Sequence, residues 1–121
     1  MSNGKIKVIL CEPGEVARVQ EIENTLEVMQ DTVEGYIETL TLEDAVIVCN
    51  EEGLIHKKRL NRCIVTAGGQ FEQFIMGTFI ICGICEDEFC SLDEDQIRKY
   101  MKLYGEPVFG KKYIQCGGKE E

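Results

Sequence analysis

The chain has 121 residues, 44% of them hydrophobic and none tryptophan, with 22 acidic against 13 basic side chains and a formal net charge of -9. That length suits one domain able to bury a core without staples and excludes two full ones. The charge opposes general binding to duplex nucleic acid unless cations are gathered locally, and the apolar runs at 74–76 and 78–82 are far too short to cross a bilayer.

Along the chain, Ile6, Val8 and Leu10 alternate with polar or opposite-facing positions, the period-two pattern of a half-buried strand. Glu12-Pro13-Gly14-Glu15 combines a preset φ with glycine's freedom, so residues 16–22 are expected to return as the second arm of a hairpin. Asn24 followed by Glu27 resembles a capping box, and Leu26, Met29 and Val33 recur at helical spacing before Gly35, predicting a helix over 25–34. Residues 36–40 and 45–49 read as strands joined by Thr41-Leu42-Glu43-Asp44, the second closing on the turn sequence Asn50-Glu51-Glu52-Gly53.

Residues 54–62 break the pattern and read as an exposed loop. The stretches 63–66 and 71–77 around Gly68-Gly69 predict another hairpin, which leads into 78–82, a strand expected to be central and buried on both faces. Ser91-Leu92-Asp93-Glu94 reads as a second capping box, followed by the stripe Ile97, Tyr100, Met101 and Tyr104 before Gly105. Residues 107–116 are expected to form a last strand or an arm, and 117–121 a frayed tail. The sum is an α+β fold: a single domain over 1–116, mostly antiparallel sheet with two helices packed on it.

Seven cysteines, several inside apolar segments, read as small buried hydrophobes of a reducing compartment rather than a disulfide framework. With no signal-like apolar stretch at the N-terminus, the expected location is the cytoplasm. Cys82-Gly83-Ile84-Cys85 with Cys90 offers metal-ligand spacing, completed by Cys63, Cys116 or His56, but the second close pair of a structural zinc site is missing, so no metal is expected. Cys90 beside a helix start suits a reactive thiolate, yet Glu86, Asp87, Glu88, Asp93 and Glu94 oppose that charge. The same acidic run lacks the alternating ligands and central glycine of a calcium loop. His56 has no neighbouring nucleophile signature, and no Walker-type or dinucleotide loop occurs, so the reading is non-enzymatic and without cofactor.

What departs from this acidic background is the segment 56–62, with Lys57, Lys58, Arg59 and Arg62 close together. Guanidinium forks match phosphate oxygens, Asn61 adds an amide, and the turn at Asn50 can present backbone N–H groups. The expected ligand-binding set is therefore Asn50, Lys57, Arg59, Asn61 and Arg62, with Phe109 stacking on a base beside Tyr113 and the lysines 111 and 112. The plainer alternative is that these cations balance Glu51 and Glu52 on a solvated face.

Six pieces in order, Glu12-Pro13-Gly14, Gly35-Tyr36-Ile37-Glu38, Asn50-Glu51-Glu52-Gly53, Asn61-Arg62, Gly77-Thr78-Phe79-Ile80-Ile81-Cys82-Gly83 and the helix after Ser91, resemble a family of small proteins catalogued as a domain of unknown function, found in phages and mobile elements of Firmicutes-type bacteria. The resemblance brings no catalytic residues. It implies a phage setting, in which small acidic proteins act against host defence; the Thoeris anti-defence sponges, which sequester cyclic ADP-ribose-like signals without turnover, are similar in size and setting. The expected function is then non-enzymatic capture of a small phosphorylated, nucleotide-like ligand by a homodimer whose twofold interface builds the sites. The competing expectation is an acidic protein-protein inhibitor that imitates nucleic acid or blocks a basic host protein. A small enzyme that degrades such a ligand is a third.

Overall fold

The computed structural model describes residues 4–53, 58–65 and 72–107. The first hairpin forms as its alternation demands: β1 (Lys5–Cys11) pairs antiparallel with β2 (Arg18–Glu23), from Lys5 opposite Glu23 to Leu10 opposite Arg18. Gly14 turns the chain with φ of 79°, a conformation other residues adopt only under strain, and Glu15 N–H donates to the Glu12 carbonyl at 3.0 Å.

Helix α1 (Leu26–Val33) starts one residue later than the local pattern suggests. Thr25 is the N-cap, its hydroxyl accepting from Val28 N–H at 3.2 Å, because the Asn24 amide donates instead to the Phe89 carbonyl at 3.0 Å. The helix carries the chain from the β2 edge of the sheet to the opposite edge, where β3 (Ile37–Thr41) and β4 (Val46–Asn50) form the expected hairpin.

β5 (Leu60–Val65) and β6 (Glu72–Met76) make a separate two-stranded sheet. This corrects the loop expected over 54–62: residues 60–62 open a strand, and 54–57 lie outside the described residues. β7 (Phe79–Cys85) then inserts between β1 and β4, antiparallel to both, giving the strand order β2-β1-β7-β4-β3. As its apolar run predicts, Phe79, Ile80, Ile81 and Cys82 are all fully buried.

β7 continues into a short strand absent from the sequence reading, β8 (Glu88–Cys90), through Glu86 and Asp87 at φ of 51° and 70°. Two successive positive φ values are the geometry of a primed hairpin turn, usually built from Asn-Gly, here from two acids. Helix α2 (Glu94–Tyr104) follows, capped reciprocally by Asp93 and Gln96. Ser91, two residues upstream of that cap, accepts Lys7 N–H at 2.9 Å instead.

Alternate side chains of the six-stranded sheet feed two cores. On one face Ile9, Cys11, Ile47, Phe79 and Ile81 meet Tyr100 and Tyr104 of α2 with Ile64 and Ile75 from β5 and β6. On the other Val8, Leu10, Val48, Ile80 and Cys82 meet Met29 of α1. The fold is thus α+β, mostly antiparallel, with two helices on opposite faces of one sheet. Among the described residues no helix is long and apolar enough to cross a membrane. The arm expected after Pro107 and the tail at 117–121 lie outside the described residues.

Candidate functional site

Of the side chains expected to meet a phosphate, two sit in the interior. Arg62 is 1% exposed and Asn61 fully buried, so the expectation that they line an open ligand site is corrected. The cause is local: the register of β5 against β6 shifts between Leu60 and Arg62, and such an irregularity can turn consecutive residues toward the same side. The Asn61 amide donates to the carbonyls of Cys11 at 2.9 Å and Gly77 at 2.8 Å. Arg62 donates through Nε to Tyr104 O at 2.8 Å and through Nη2 to Glu15 O at 2.7 Å and Gly105 O at 3.2 Å. Its Nη1 reaches Asn61 Oδ1 at 2.6 Å and, more distantly, Asn61 O at 3.5 Å.

All three nitrogens of the guanidinium are engaged by oxygens of the chain itself, including the last carbonyls of α2, where the helix dipole favours a cation. Burial pulls the Arg62 pKa below its ordinary value, against the opposing pull of Cys11 and Glu106. Asn61 and Arg62 thereby tie β1, the β1–β2 turn, the β6–β7 turn and the end of α2 to one another.

The remaining expected ligands diverge. Asn50 is buried and internally satisfied: Nδ2 donates to Val33 O at 3.0 Å and Glu34 O at 3.1 Å, and Oδ1 accepts Glu52 N–H at 2.7 Å. Arg59 is exposed, with its guanidinium beside Gly14, while Lys58 reaches the other way to Glu34 at 2.9 Å. Lys57 and Phe109 lie outside the described residues.

A different concavity comes from elements the sequence reading kept apart. Between β3–β4 and β6 runs a cleft of about 160 Å³ with Glu38 and Glu51 on its walls, Cys49 within it and Phe74 on β6, 55% exposed. Gly53 lets the Asn50 turn close on β6, since a Cβ there would come within 2.8 Å of the Met76 carbonyl. Burial, with the Glu38 charge adding to it, pushes the Cys49 thiol up to about 12, so that thiol stays protonated.

Glu51 N–H donates to the Tyr36 carbonyl at 2.9 Å. Tyr36, 69% exposed, borders a shallower hollow of about 450 Å³ shared with Gln30, Asp31 and Glu34 at the C-terminal end of α1. The two hollows flank one backbone hydrogen bond and present two exposed rings among carboxylates, with the negative end of a helix dipole adding to the field. The Lys58–Glu34 ion pair lies beside the second. No sequence signal joins Glu38 and Glu51 to Phe74; only the packing of β6 against the β3–β4 hairpin does.

A second polar cluster clamps the β3–β4 turn to α2. Tyr100 hydroxyl donates to Asp44 Oδ1, Gln96 Nε2 donates to Asp44 O at 2.6 Å, and Lys99 Nζ lies 3.1 Å from Glu43 and 3.2 Å from Asp44. The hydrogen bond from Tyr100, then that from Lys99, holds the Asp44 carboxyl below its usual 3.8 despite some desolvation, whereas burial and the bond to Asp44 raise the Tyr100 phenol. These groups satisfy one another within the fold.

The described cysteines separate into three kinds, of which Cys63 alone is a half-buried thiol outside the disulfide. Cys11, Cys49 and Cys82 are buried, each pushed by desolvation to about 12. Cys85 and Cys90 form a disulfide, where none was expected. Cys82, the other member of the close pair, points into the core packed by α1 and away from that bond.

The family model described as Domain of unknown function (DUF3846) matches residues 6–105, and the chain belongs to that family. No curated protein and no solved structure matches the chain.

Proposed function

We propose that this DUF3846 chain is a non-catalytic acidic protein that binds a positively charged segment of a partner protein, at the corner formed by Tyr36, Glu38, Glu51 and Phe74. The observation that supports the reading is a pair of exposed rings set among carboxylates. Arg62 is internal and Lys58 is paired with Glu34, whereas carboxylates flank two exposed rings over concave surface. Exposed aromatic rings are the side chains that anchor interfaces most often, and a ring face beside carboxylates suits an ammonium or guanidinium. A net charge of -9 steers such a partner from a distance.

Titration of the full chain with a fluorescent lysine- and arginine-rich peptide tests it. Binding that weakens as salt is raised, and that is lost in a Tyr36→Ser, Phe74→Ser double variant with unchanged circular dichroism, is the expected result. No binding at low salt removes the reading. Calorimetric heat from an ADP-ribose-type nucleotide together with no peptide binding would favour capture of a small phosphorylated ligand instead, through Arg59 and side chains outside the described residues.

A further inference from the structure

The hairpin of β7 and β8 carries chemistry that the proposed binding corner does not use. Its disulfide joins Cys85, which is exposed, to Cys90, which is half-buried, across 6.0 Å between Cα atoms. Gly83 is the register partner of Cys90, and a Cβ at Gly83 would lie 3.0 Å from Cys90 Sγ. The bare backbone of Gly83 is therefore a seat for that sulfur.

The hairpin is also held by bonds that do not involve sulfur. Asn24 donates to Phe89 O at 3.0 Å, Lys7 N–H donates to Ser91 Oγ at 2.9 Å, and Leu92 N–H donates to Lys7 O at 2.9 Å. With the S–S bond open, these contacts keep the two thiols neighbours. Of the other described thiols, Cys11, Cys49 and Cys82 are buried and protonated and do not compete for exchange, while Cys63 is half-buried on the separate β5–β6 sheet.

We propose that Cys85–Cys90 is a reversible thiol–disulfide exchange site for a small dithiol reductant. A thiolate of the dithiol attacks Cys85 Sγ, the accessible sulfur, forming a mixed disulfide and expelling Cys90 as thiolate, which takes up a proton over Gly83. The second thiol of the reductant then attacks its own sulfur in the mixed disulfide and releases Cys85, which is protonated in turn. Two electrons and two protons pass to the protein; its S–S bond is broken and one forms in the reductant. Exposed Glu86, Asp87 and Glu88 beside the bond repel a thiol that carries carboxylates, so an uncharged dithiol is the favoured class over glutathione.

The test is alkylation of the folded full chain followed by peptide mass spectrometry. Without reductant, residues 85 and 90 are expected to be unlabelled and linked. Dithiothreitol should expose both to the alkylating reagent with the far-ultraviolet circular dichroism unchanged, several-fold faster than glutathione at equal thiol concentration, the difference shrinking at high salt. Oxidised dithiothreitol should restore the link. A Cys85→Ser, Cys90→Ser double variant should show the spectrum of the reduced protein. Labelling of both residues before any reductant is added would overturn the proposal, as would a bond that opens only in denaturant, or a reduced chain and double variant that fail to fold.

Discussion

A guanidinium enclosed by carbonyl oxygens rather than by a carboxylate is the residue on which most of this structure converges. Arg62 supplies donors to Glu15, Asn61, Tyr104 and Gly105. Removing a buried charged donor leaves its acceptors dry and unpaired, a loss of about 3 kcal/mol. Arg62→Ala is accordingly expected to lower the urea unfolding free energy by about that amount, whereas exposed Arg59→Ala should stay within about 0.5 kcal/mol. Equal effects would contradict the internal role. In sequence the two arginines look alike, both basic and three residues apart in one run. What separates them is the irregular register at Leu60–Arg62, which carries Asn61 and Arg62 inward together; a period-two reading places neighbours on opposite faces and has no means of seeing this.

β1 was legible from the alternation of its first four residues, though Ile9 and Cys11 then fill a second buried face, and β7 was legible as an apolar run buried on both faces. Helix starts were legible only to within a residue or two. Asn24 and Thr25 both satisfy the local capping rule, as do Ser91 and Asp93, and the choice is made by distant partners, the Phe89 carbonyl and the Lys7 amide. β8 escaped notice because its turn is Glu86-Asp87, with no glycine to mark it. At this same scale the Asp44 clamp joins an edge hairpin to α2. A carboxyl held below its ordinary 3.8 contributes stability that is whole above that value and disappears as pH falls through the lowered one. Asp44→Asn should therefore be less stable than the natural chain at neutral pH by about 1 kcal/mol, and the two unfolding curves should converge below pH 3.8. A constant gap down to strong acid would show that the carboxylate charge plays no part.

For the molecule as a whole, a net charge of -9 acts twice, and with opposite signs. Like charges on a folded surface repel, so added sodium chloride should raise the melting temperature; the same screening should weaken binding of a cationic peptide. Thermal melts and peptide titrations across one salt series check both, and a melting temperature that falls with moderate salt would mean that attractive pairs, not repulsion, dominate the surface. The acidity behind this was plain in the composition, but the cleft of Glu38, Glu51 and Phe74 was not, because it exists only where β6 meets the β3–β4 hairpin. The buried arginine also bears on synthesis. Its acceptors at 104 and 105 are synthesised 42 and 43 residues after it, so the nascent chain holds an unappeased cation against its apolar strands until α2 emerges. Native assembly is then a late event, and a polypeptide stalled before that helix is a natural client for chaperones.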